Sequence, residues 1–160
     1  MRFARILVPT DFSGSSRRAA AIAAELAGAF RGSLTLVHVY SPDAFVLPNG
    51  TVFTPSPGET QAARDRADAA LSAAKQALAR CGAAVEVAAI EGDVADELLE
   101  RANSGDYDLV VMGTHGRSGF QRVLIGSVAE HLMRHANVPV LTVREQPAAR
   151  AATLQAGGVR

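Results

Sequence analysis

A glycine-rich stretch over residues 112–128 is the part of the sequence whose residue types point most clearly to chemistry. Four glycines fall within fourteen residues, namely Gly113, Gly116, Gly119 and Gly126. Glycine lets a backbone approach a ligand closely, and the exposed amides of such turns can point at an anion. Gly126 and Ser127 then open a predicted helix, whose free N–H groups and positive dipole end favour phosphate. The stretch therefore predicts a phosphate-binding loop.

The same stretch also has a purely structural interpretation. Glycine-rich turns commonly reverse the chain, and Ser127 with Glu130 three residues later matches an ordinary capping box. Neither GxxxxGKS/T nor GxGxxG occurs in the sequence, which disfavours a Walker-type NTPase and a usual dinucleotide-binding domain. Taken alone, the glycines leave phosphate binding and chain reversal equally open.

A second polar cluster follows the first predicted strand and reads Pro9, Thr10, Asp11, Phe12, Ser13. In a doubly wound sheet, the loops after the first and fourth strands flank the point where strand order reverses, so their residues can meet across one crevice. Asp11 is then placed to face a ribose hydroxyl or a Mg²⁺ ion carried by a phosphate chain. The alternative role for Asp11 is to cap the following helix.

The four histidines of the chain, and the two arginines of the glycine-rich stretch, differ in how well they suit phosphate or metal binding. His115 lies between two of the glycines and is expected near phosphate, whereas His38 falls in a buried strand and is expected to be a hydrogen-bonded core residue. His131 and His135 have i, i+4 spacing without an HExxH motif, so a structural role is favoured over a metal site. Two cations could pair with phosphate oxygens, Arg117 and Arg122, of which Arg117 is favoured; the alternative is that both are solvated.

Apolar runs typical of strands alternate along the chain with segments of helical spacing, and this pattern predicts the elements that position these loops. Apolar runs typical of strands lie at residues 6–8, 34–40, 84–90, 108–112 and 138–143, and helical spacing is found at 14–30, 59–80, after Asp93 and from Ser127. Predicted helix caps are Ser13, Ser56 with Glu59, and Asp93. The order predicts an α/β fold, an open, doubly wound, mainly parallel five-stranded sheet of Rossmann-like type with helices on both faces and strand order 3-2-1-4-5. Ligands of such sheets bind beyond the carboxyl ends of the strands.

Composition narrows the classes of protein further. A chain of 160 residues, 48% of them hydrophobic, suits one domain with a sizeable core. Sixteen Lys plus Arg balance sixteen Asp plus Glu, so no basic field would hold nucleic acid. The single Cys81 excludes an internal disulfide and a zinc ribbon, and neither a signal peptide nor a membrane helix is recognisable. We therefore expect a soluble cytoplasmic protein.

With these motifs in place, residues 2–144 resemble the universal stress protein family. The resemblance is carried by the cluster from Pro9 to Ser13, by Leu36-Val37-His38-Val39, and by the closing Val138-Pro139-Val140-Leu141-Thr142-Val143. Its most specific motif, G-x2-G-x9-G-S/T, is complete here as Gly113, Gly116, Gly126 and Ser127. In this family the motif marks the ATP-binding branch.

The resemblance implies a site for ATP with Mg²⁺ bound alongside it. Pro9, Thr10 and Asp11 would sit against adenine, ribose or the metal, with Asp11 as the metal ligand. Val39 and its neighbours would line the adenine pocket through backbone contacts. The ribose and phosphates would contact Met112, Gly113, His115, Gly116 and Arg117, and the outer phosphates would contact Gly126, Ser127 and Val128. A homodimer paired through strand 138–143 is also implied, which would cover an otherwise unpaired sheet edge.

For two segments the resemblance implies no role. Residues 41–58 form a connection longer than most, and a lid, a self-association contact and a mobile insert all stay open for it. Residues 145–160 lack caps and a full apolar face, which predicts a disordered tail after a single domain over 1–144.

Together, these expectations describe an ATP-binding stress-response protein that acts as a nucleotide-dependent sensor or regulator for an unknown protein partner. The glycine-rich stretch has no lysine and no residue obviously placed to orient water, so hydrolysis is expected to be slow or negligible, and no catalytic residue is assigned. The alternatives are a slow ATPase or phosphotransferase, and a partner-binding scaffold whose glycines are structural.

Overall fold

The computed structural model describes residues 3–41, 45–46, 52–79, 81–114 and 125–144. Several predictions fall elsewhere and lie outside the described residues: those for His115, Gly116, Arg117 and Arg122, for residues 42–44 and 47–51 of the 41–58 connection, and for the 145–160 tail.

Strands and helices alternate along the described residues. The strands are β1 (Arg5–Pro9), β2 (Ser33–Tyr40), β3 (Phe45–Val46), β4 (Val52–Phe53), β5 (Ala84–Glu91), β6 (Leu109–Gly113) and β7 (Val140–Val143). The helices are α1 (Gly14–Phe30), α2 (Pro57–Ala77), α3 (Val94–Asn103) and α4 (Ser127–His135). β7 begins after Pro139 rather than at Val138 or Pro139, because proline has no N–H to donate to a strand ladder.

Five of the strands form one parallel sheet in the order β5-β2-β1-β6-β7. With the short β3–β4 pair left out of the count, this is the predicted order 3-2-1-4-5, and the doubly wound, Rossmann-like fold is confirmed. β3 and β4 pair antiparallel inside the 41–58 connection, a hairpin that the sequence did not predict. None of the helices in the described ranges is long and apolar enough to cross a membrane.

The two faces of the sheet bury two separate apolar clusters. The first, next to α1 and α2, includes Ile6, Val8, Leu34, Leu36 and Leu71. The second, next to α3 and α4, includes Leu7, Val37, Leu98, Val110 and Leu132. Neighbouring strand residues alternate between the clusters because successive side chains point to opposite faces. Residues 6–9 of β1 and 109–112 of β6 are buried throughout, as expected of central strands covered on both sides.

The predicted N-caps of the first three helices are present. Ser13 accepts a hydrogen bond from the Ser16 amide, and Asp93 accepts from the amides of Ala95 and Asp96. Ser56 and Glu59 form the reciprocal capping box at the start of α2. These caps satisfy N–H groups that a helix start leaves without partners, so they fix where each helix begins.

Helix α1 ends at a left-handed residue that is not the adjacent glycine. Arg31, not Gly32, takes the left-handed cap conformation, with φ of 53°. Gly32 is needed for another reason, since a Cβ there would collide with the backbone of Ala4. The glycine therefore allows the start of β2 to run close to the chain before β1.

Candidate functional site

A crevice of about 280 Å³ lies at the carboxyl ends of β1, β2 and β6. Because β1 stands between β2 and β6, the crevice opens where strand order reverses. The predicted site residues that line it are Pro9, Thr10, Asp11, Val39, Met112, Gly113, Gly126, Ser127 and Val128. The fold thus brings together segments that are far apart in sequence. The roles of these residues in binding a nucleotide remain predictions.

The loop between β1 and α1 supplies a hydrogen-bonded part of the lining. The amide of Thr10 donates to the carbonyl of Val37 on β2 at 2.8 Å. The hydroxyl of Thr10 accepts from the Phe12 amide at 3.1 Å and donates to the Ser16 hydroxyl at 3.2 Å. Thr10 is buried, so these bonds fix its position against β2 and α1.

Asp11 presents an ionised carboxylate at the crevice. Its Oδ1 accepts hydrogen bonds from the Ser13 hydroxyl at 2.6 Å and from the Ser13 amide at 3.1 Å. Burial raises the pKa of Asp11, but hydrogen bonds from Ser13 and Ser16 together lower it by more, so the pKa lies below its ordinary value of 3.8. The alternative role as a helix cap is wrong, because the N-cap of α1 is Ser13.

β6 ends in Gly113, a glycine that the packing of the fold requires. A Cβ at this position would lie 2.6 Å from the Ser15 hydroxyl oxygen and 3.0 Å from the Ser15 backbone carbon. The next residue, Thr114, donates its amide to the Val143 carbonyl at 2.9 Å, which joins the end of β6 to β7. Gly113 therefore permits close approach of α1, in addition to lining the crevice.

Helix α4 begins at the crevice without a side-chain cap. Its N-cap is Gly126, whose amide donates to the Thr114 carbonyl at 2.7 Å. The Ser127–Glu130 capping box is wrong, since Ser127 lies one residue inside the helix and Glu130 pairs with Arg134 at 2.7 Å. Because Ser127 lines the crevice, the positive end of the α4 dipole faces the same space.

An apolar part of the lining was largely missed by sequence reasoning. It comes from β2, α3 and α4 and consists of Val37, Val39, Val94, Leu98, Val128 and Ala129. Of these residues, only Val39 and Val128 were predicted. A signal for Val37 existed, because it shares a strand face with Val39 two residues away. Val94 and Leu98 lie in the segment of helical spacing after Asp93, a pattern that does not separate core residues from ligand contacts.

The histidines of the described ranges have structural partners. His38 is half-buried, and its Nδ1 lies 2.7 Å from the Thr10 carbonyl oxygen, in keeping with the predicted hydrogen-bonded role. The rings of His131 and His135 stack on α4 with centroids 4.6 Å apart, and neither residue lines the crevice. Within the described residues, no group of three or more His, Cys, Asp or Glu side chains could hold a metal ion.

The crevice therefore combines three chemical environments. Apolar side chains suit a ring, the Asp11 carboxylate suits hydroxyl groups or a cation, and the start of α4 suits an anion. The fold and the site together define an α/β protein of the doubly wound class with a small-molecule crevice at its switch point.

Comparison with known proteins narrows this class to a family. The chain matches the model of the universal stress protein family over residues 2–144. A universal stress protein of Methanocaldococcus jannaschii is 31% identical over 147 residues, which cover 89% of this chain and 83% of that protein. The chain therefore belongs to the universal stress protein family, as its motifs indicated.

Solved structures agree with this assignment. The universal stress protein UspA from Lactobacillus plantarum is similar with a TM-score of 0.78 and 25% identity, over 90% of this chain and 99% of that one. A universal stress protein crystallised in complex with cAMP is similar with a TM-score of 0.68 and 26% identity, over 91% of this chain and 100% of that one.

Proposed function

We propose that this protein binds ATP in the crevice at the ends of β1, β2 and β6 and acts in the stress response as a nucleotide-dependent sensor or regulator. The observation that carries the proposal is the convergence of Asp11, Gly113 and Ser127 on one crevice from three separate parts of the chain. The relative solved with cAMP supports an adenine nucleotide as the class of ligand.

Each part of the nucleotide has a matching part of the lining. The adenine ring packs against the apolar surface of Val39 and Leu98, of which 7% and 2% remain exposed. Ligand pockets usually measure about 300 to 1,000 Å³, so a crevice of about 280 Å³ suits the nucleoside and leaves the phosphates to extend outward. They reach the start of α4 and the predicted contacts His115, Gly116 and Arg117.

Asp11 is the residue that would hold Mg²⁺ with the nucleotide. Its lowered pKa keeps the carboxylate ionised at neutral pH. Mg²⁺ prefers oxygen ligands and is commonly bound by one or two carboxylates together with substrate phosphates. The Asp11 side chain meets that requirement as part of the crevice lining.

The described lining also supports the expectation of slow or absent hydrolysis. Among the described residues that line the crevice, Asp11 is the only charged one. Phosphoryl transfer needs charge neutralisation and a residue that orients the attacking group. We expect a turnover of ATP below about 1 s⁻¹, a typical lower value for enzymes.

A charge placed at Ser127 tests the proposal directly. Ser127 is exposed and lies in the first turn of α4. Ser127→Glu puts a carboxylate at the positive helix end, which preserves or raises stability but repels phosphate. Ser127→Gln has nearly the same size without the charge and is the matched control.

Isothermal titration calorimetry with Mg·ATP is the readout. Wild-type protein and Ser127→Gln should bind, and Ser127→Glu should bind at least about ten-fold more weakly, a difference of 1.4 kcal/mol. Equal affinities of Ser127→Glu and Ser127→Gln would place the phosphates elsewhere. Failure of the wild type to bind any adenine nucleotide would overturn the proposed function.

The proposal extends to a cytoplasmic homodimer that signals to a protein partner. β7 is an edge strand of the described sheet, and its Leu141 side chain is 39% exposed. Antiparallel pairing of two copies of β7 would satisfy backbone groups that an edge strand leaves open. The free thiol of Cys81 is compatible with a reducing compartment.

A further inference from the structure

His38 lies next to the crevice without lining it. The residues on either side of it in β2, Val37 and Val39, both contribute to the lining. Since successive side chains of a strand point to opposite faces, His38 is directed away from the crevice, toward the α1 side of the sheet. There its Nδ1 lies 2.7 Å from the Thr10 carbonyl oxygen, and its ring contacts Phe12 with centroids 4.6 Å apart.

The contact from His38 acts on the peptide unit that precedes Asp11. The Thr10 carbonyl and the Asp11 amide belong to one planar peptide group, so a bond to that carbonyl restrains the orientation of Asp11. The amide of Thr10 is held at the same time by the carbonyl of Val37 at 2.8 Å. Two consecutive residues of β2 thus hold both sides of Thr10.

Phe12, the residue after Asp11, has a conformation that needs such support. Its φ is 64°, in the left-handed region that a bulky residue rarely adopts. Its amide donates to the Thr10 hydroxyl at 3.1 Å, its carbonyl accepts from the Arg17 guanidinium at 2.8 Å, and its ring packs against His38. His38 therefore contacts the residues on both sides of Asp11.

We infer that His38 is a positioning residue, which holds the loop from Thr10 to Ser13 so that Asp11 faces the crevice in the conformation that binds phosphorylated ligand and cation. The inference rests on the proposed function for its effect on affinity, whereas its effect on the loop stands apart from any ligand. Without the bond, the loop occupies the binding conformation for a smaller fraction of the time, and the apparent affinity falls by that fraction.

The hydrogen bond from His38 to the Thr10 carbonyl can be removed or retained by matched substitutions. A carbonyl oxygen only accepts, so Nδ1 of His38 carries the hydrogen. His38→Asn retains a donor at a similar distance from the backbone, and His38→Leu removes it. His135 is the control histidine, because its Nδ1 lies 2.9 Å from the His131 carbonyl oxygen at the exposed end of α4, outside the crevice lining.

Amide hydrogen exchange of the ligand-free protein measures how readily the loop from Thr10 to Ser13 opens. The amides of Phe12 and Ser13 are bonded within the loop, to Thr10 and Asp11. We expect His38→Leu to speed their exchange by about ten-fold relative to the β1 amide of Leu7. His38→Asn should stay close to wild type, and His135→Leu should change neither set. Unchanged exchange in His38→Leu, or equal acceleration at Leu7, would overturn the inference.

Affinity for Mg·ATP is the second readout. We expect His38→Leu to weaken binding by about ten-fold, His38→Asn to restore it to within about three-fold, and His135→Leu to bind like wild type. Equal weakening by Leu and Asn would overturn the assigned hydrogen bond. If the wild type binds no Mg·ATP, the proposed function fails, and the exchange result alone decides whether His38 holds the loop.

A spectroscopic measurement on the wild type keeps the inference testable if His38→Leu does not fold. Nitrogen-15 NMR of the imidazole rings should show Nδ1 of His38 protonated in the neutral ring. A neutral ring protonated at Nε2 alone could not donate to the Thr10 carbonyl and would overturn the inference.

Discussion

The glycines at 113 and 126 belong to one sequence motif but should respond differently to the same substitution. A methyl group at 113 would lie 2.6 Å from the Ser15 hydroxyl oxygen and 3.0 Å from the Ser15 backbone carbon, inside normal contact distance. At 126 the nearest atom is the Thr114 carbonyl oxygen at 3.2 Å, a contact that a shift of a few tenths of an ångström relieves. Gly126 has φ of −71°, which any residue adopts. We expect Gly113→Ala to damage the fold and Gly126→Ala to spare it.

The size of each effect follows from these contacts. Overpacking a well-packed site costs about 1 to 3 kcal/mol, and a chain of this size loses about 2 to 4 °C in Tm per kcal/mol. Gly113→Ala should therefore lower the Tm by about 2 to 12 °C. In Gly126→Ala, the reduced entropy of the unfolded chain stabilises by about 0.4 to 1 kcal/mol. That gain offsets the tight contact and keeps the Tm within about 2 °C of wild type.

For Mg·ATP binding, Gly126 should be the more sensitive of the two positions. The Gly126 backbone is assigned to the phosphates, so the added methyl group of Gly126→Ala should weaken Mg·ATP binding by at least about ten-fold. Thermal unfolding and calorimetry on the same preparations measure both effects.

The control variant for both glycines is Gly58→Ala in the first turn of α2. A Cβ there would meet no atom closer than the Ser56 hydroxyl oxygen at 4.0 Å. It should leave binding unchanged and the Tm equal or higher. The reasoning is refuted if Gly113→Ala has the same Tm as the wild type, or if Gly126→Ala is the variant whose Tm falls.

Three further predictions concern the carboxylates and the sheet edge. Asp11→Asn should abolish the gain in ATP affinity that Mg²⁺ provides, and a gain equal to that of wild type in calorimetry would exclude Asp11 as the metal ligand. The hydrogen bond from Arg5 lowers the pKa of Asp108 below 3.8, so its stabilising effect is present above that pH and is lost as the pH falls through the folded-state value. Urea unfolding should therefore show a stability difference between wild type and Asp108→Asn that shrinks in acid, and a constant difference would contradict this. Leu141→Lys on β7 should convert a dimer into a monomer in sedimentation at micromolar concentration, and a persistent dimer would place the interface elsewhere.

The strand order could be predicted because right-handed crossovers leave few topologies for alternating strands and helices. The bounds of α1 were also predicted correctly, since Ser13 caps a long segment of regular helical spacing. The β3–β4 hairpin could not be predicted, because strands of two residues are too short to show a period. The start of α4 at Ser127 was predicted correctly. Gly126 and Ser127 are both acceptable N-cap residues, so sequence alone could not decide which of them is the N-cap.

Most of the lining residues that were not predicted are apolar, although the polar Ser16 and Thr114 were missed as well. Leu98 lines the crevice, but a leucine on the inner face of a helix gives the same pattern whether it contacts the core or a ligand. The packing role of Gly113 depends on Ser15, which lies across space on α1 and has no fixed sequence spacing to it. Contacts of this kind follow from the fold and not from a motif.

The most direct test of nucleotide binding is to denature the purified, untagged protein, identify any released nucleotide by mass spectrometry, and compare melting with and without Mg·ATP. Ligand at one hundred times its Kd stabilises by about 2.7 kcal/mol, which should raise the Tm by about 5 to 10 °C. We expect a released adenine nucleotide or a shift of that size. Absence of both would contradict ATP binding and leave the crevice glycines with a structural role alone.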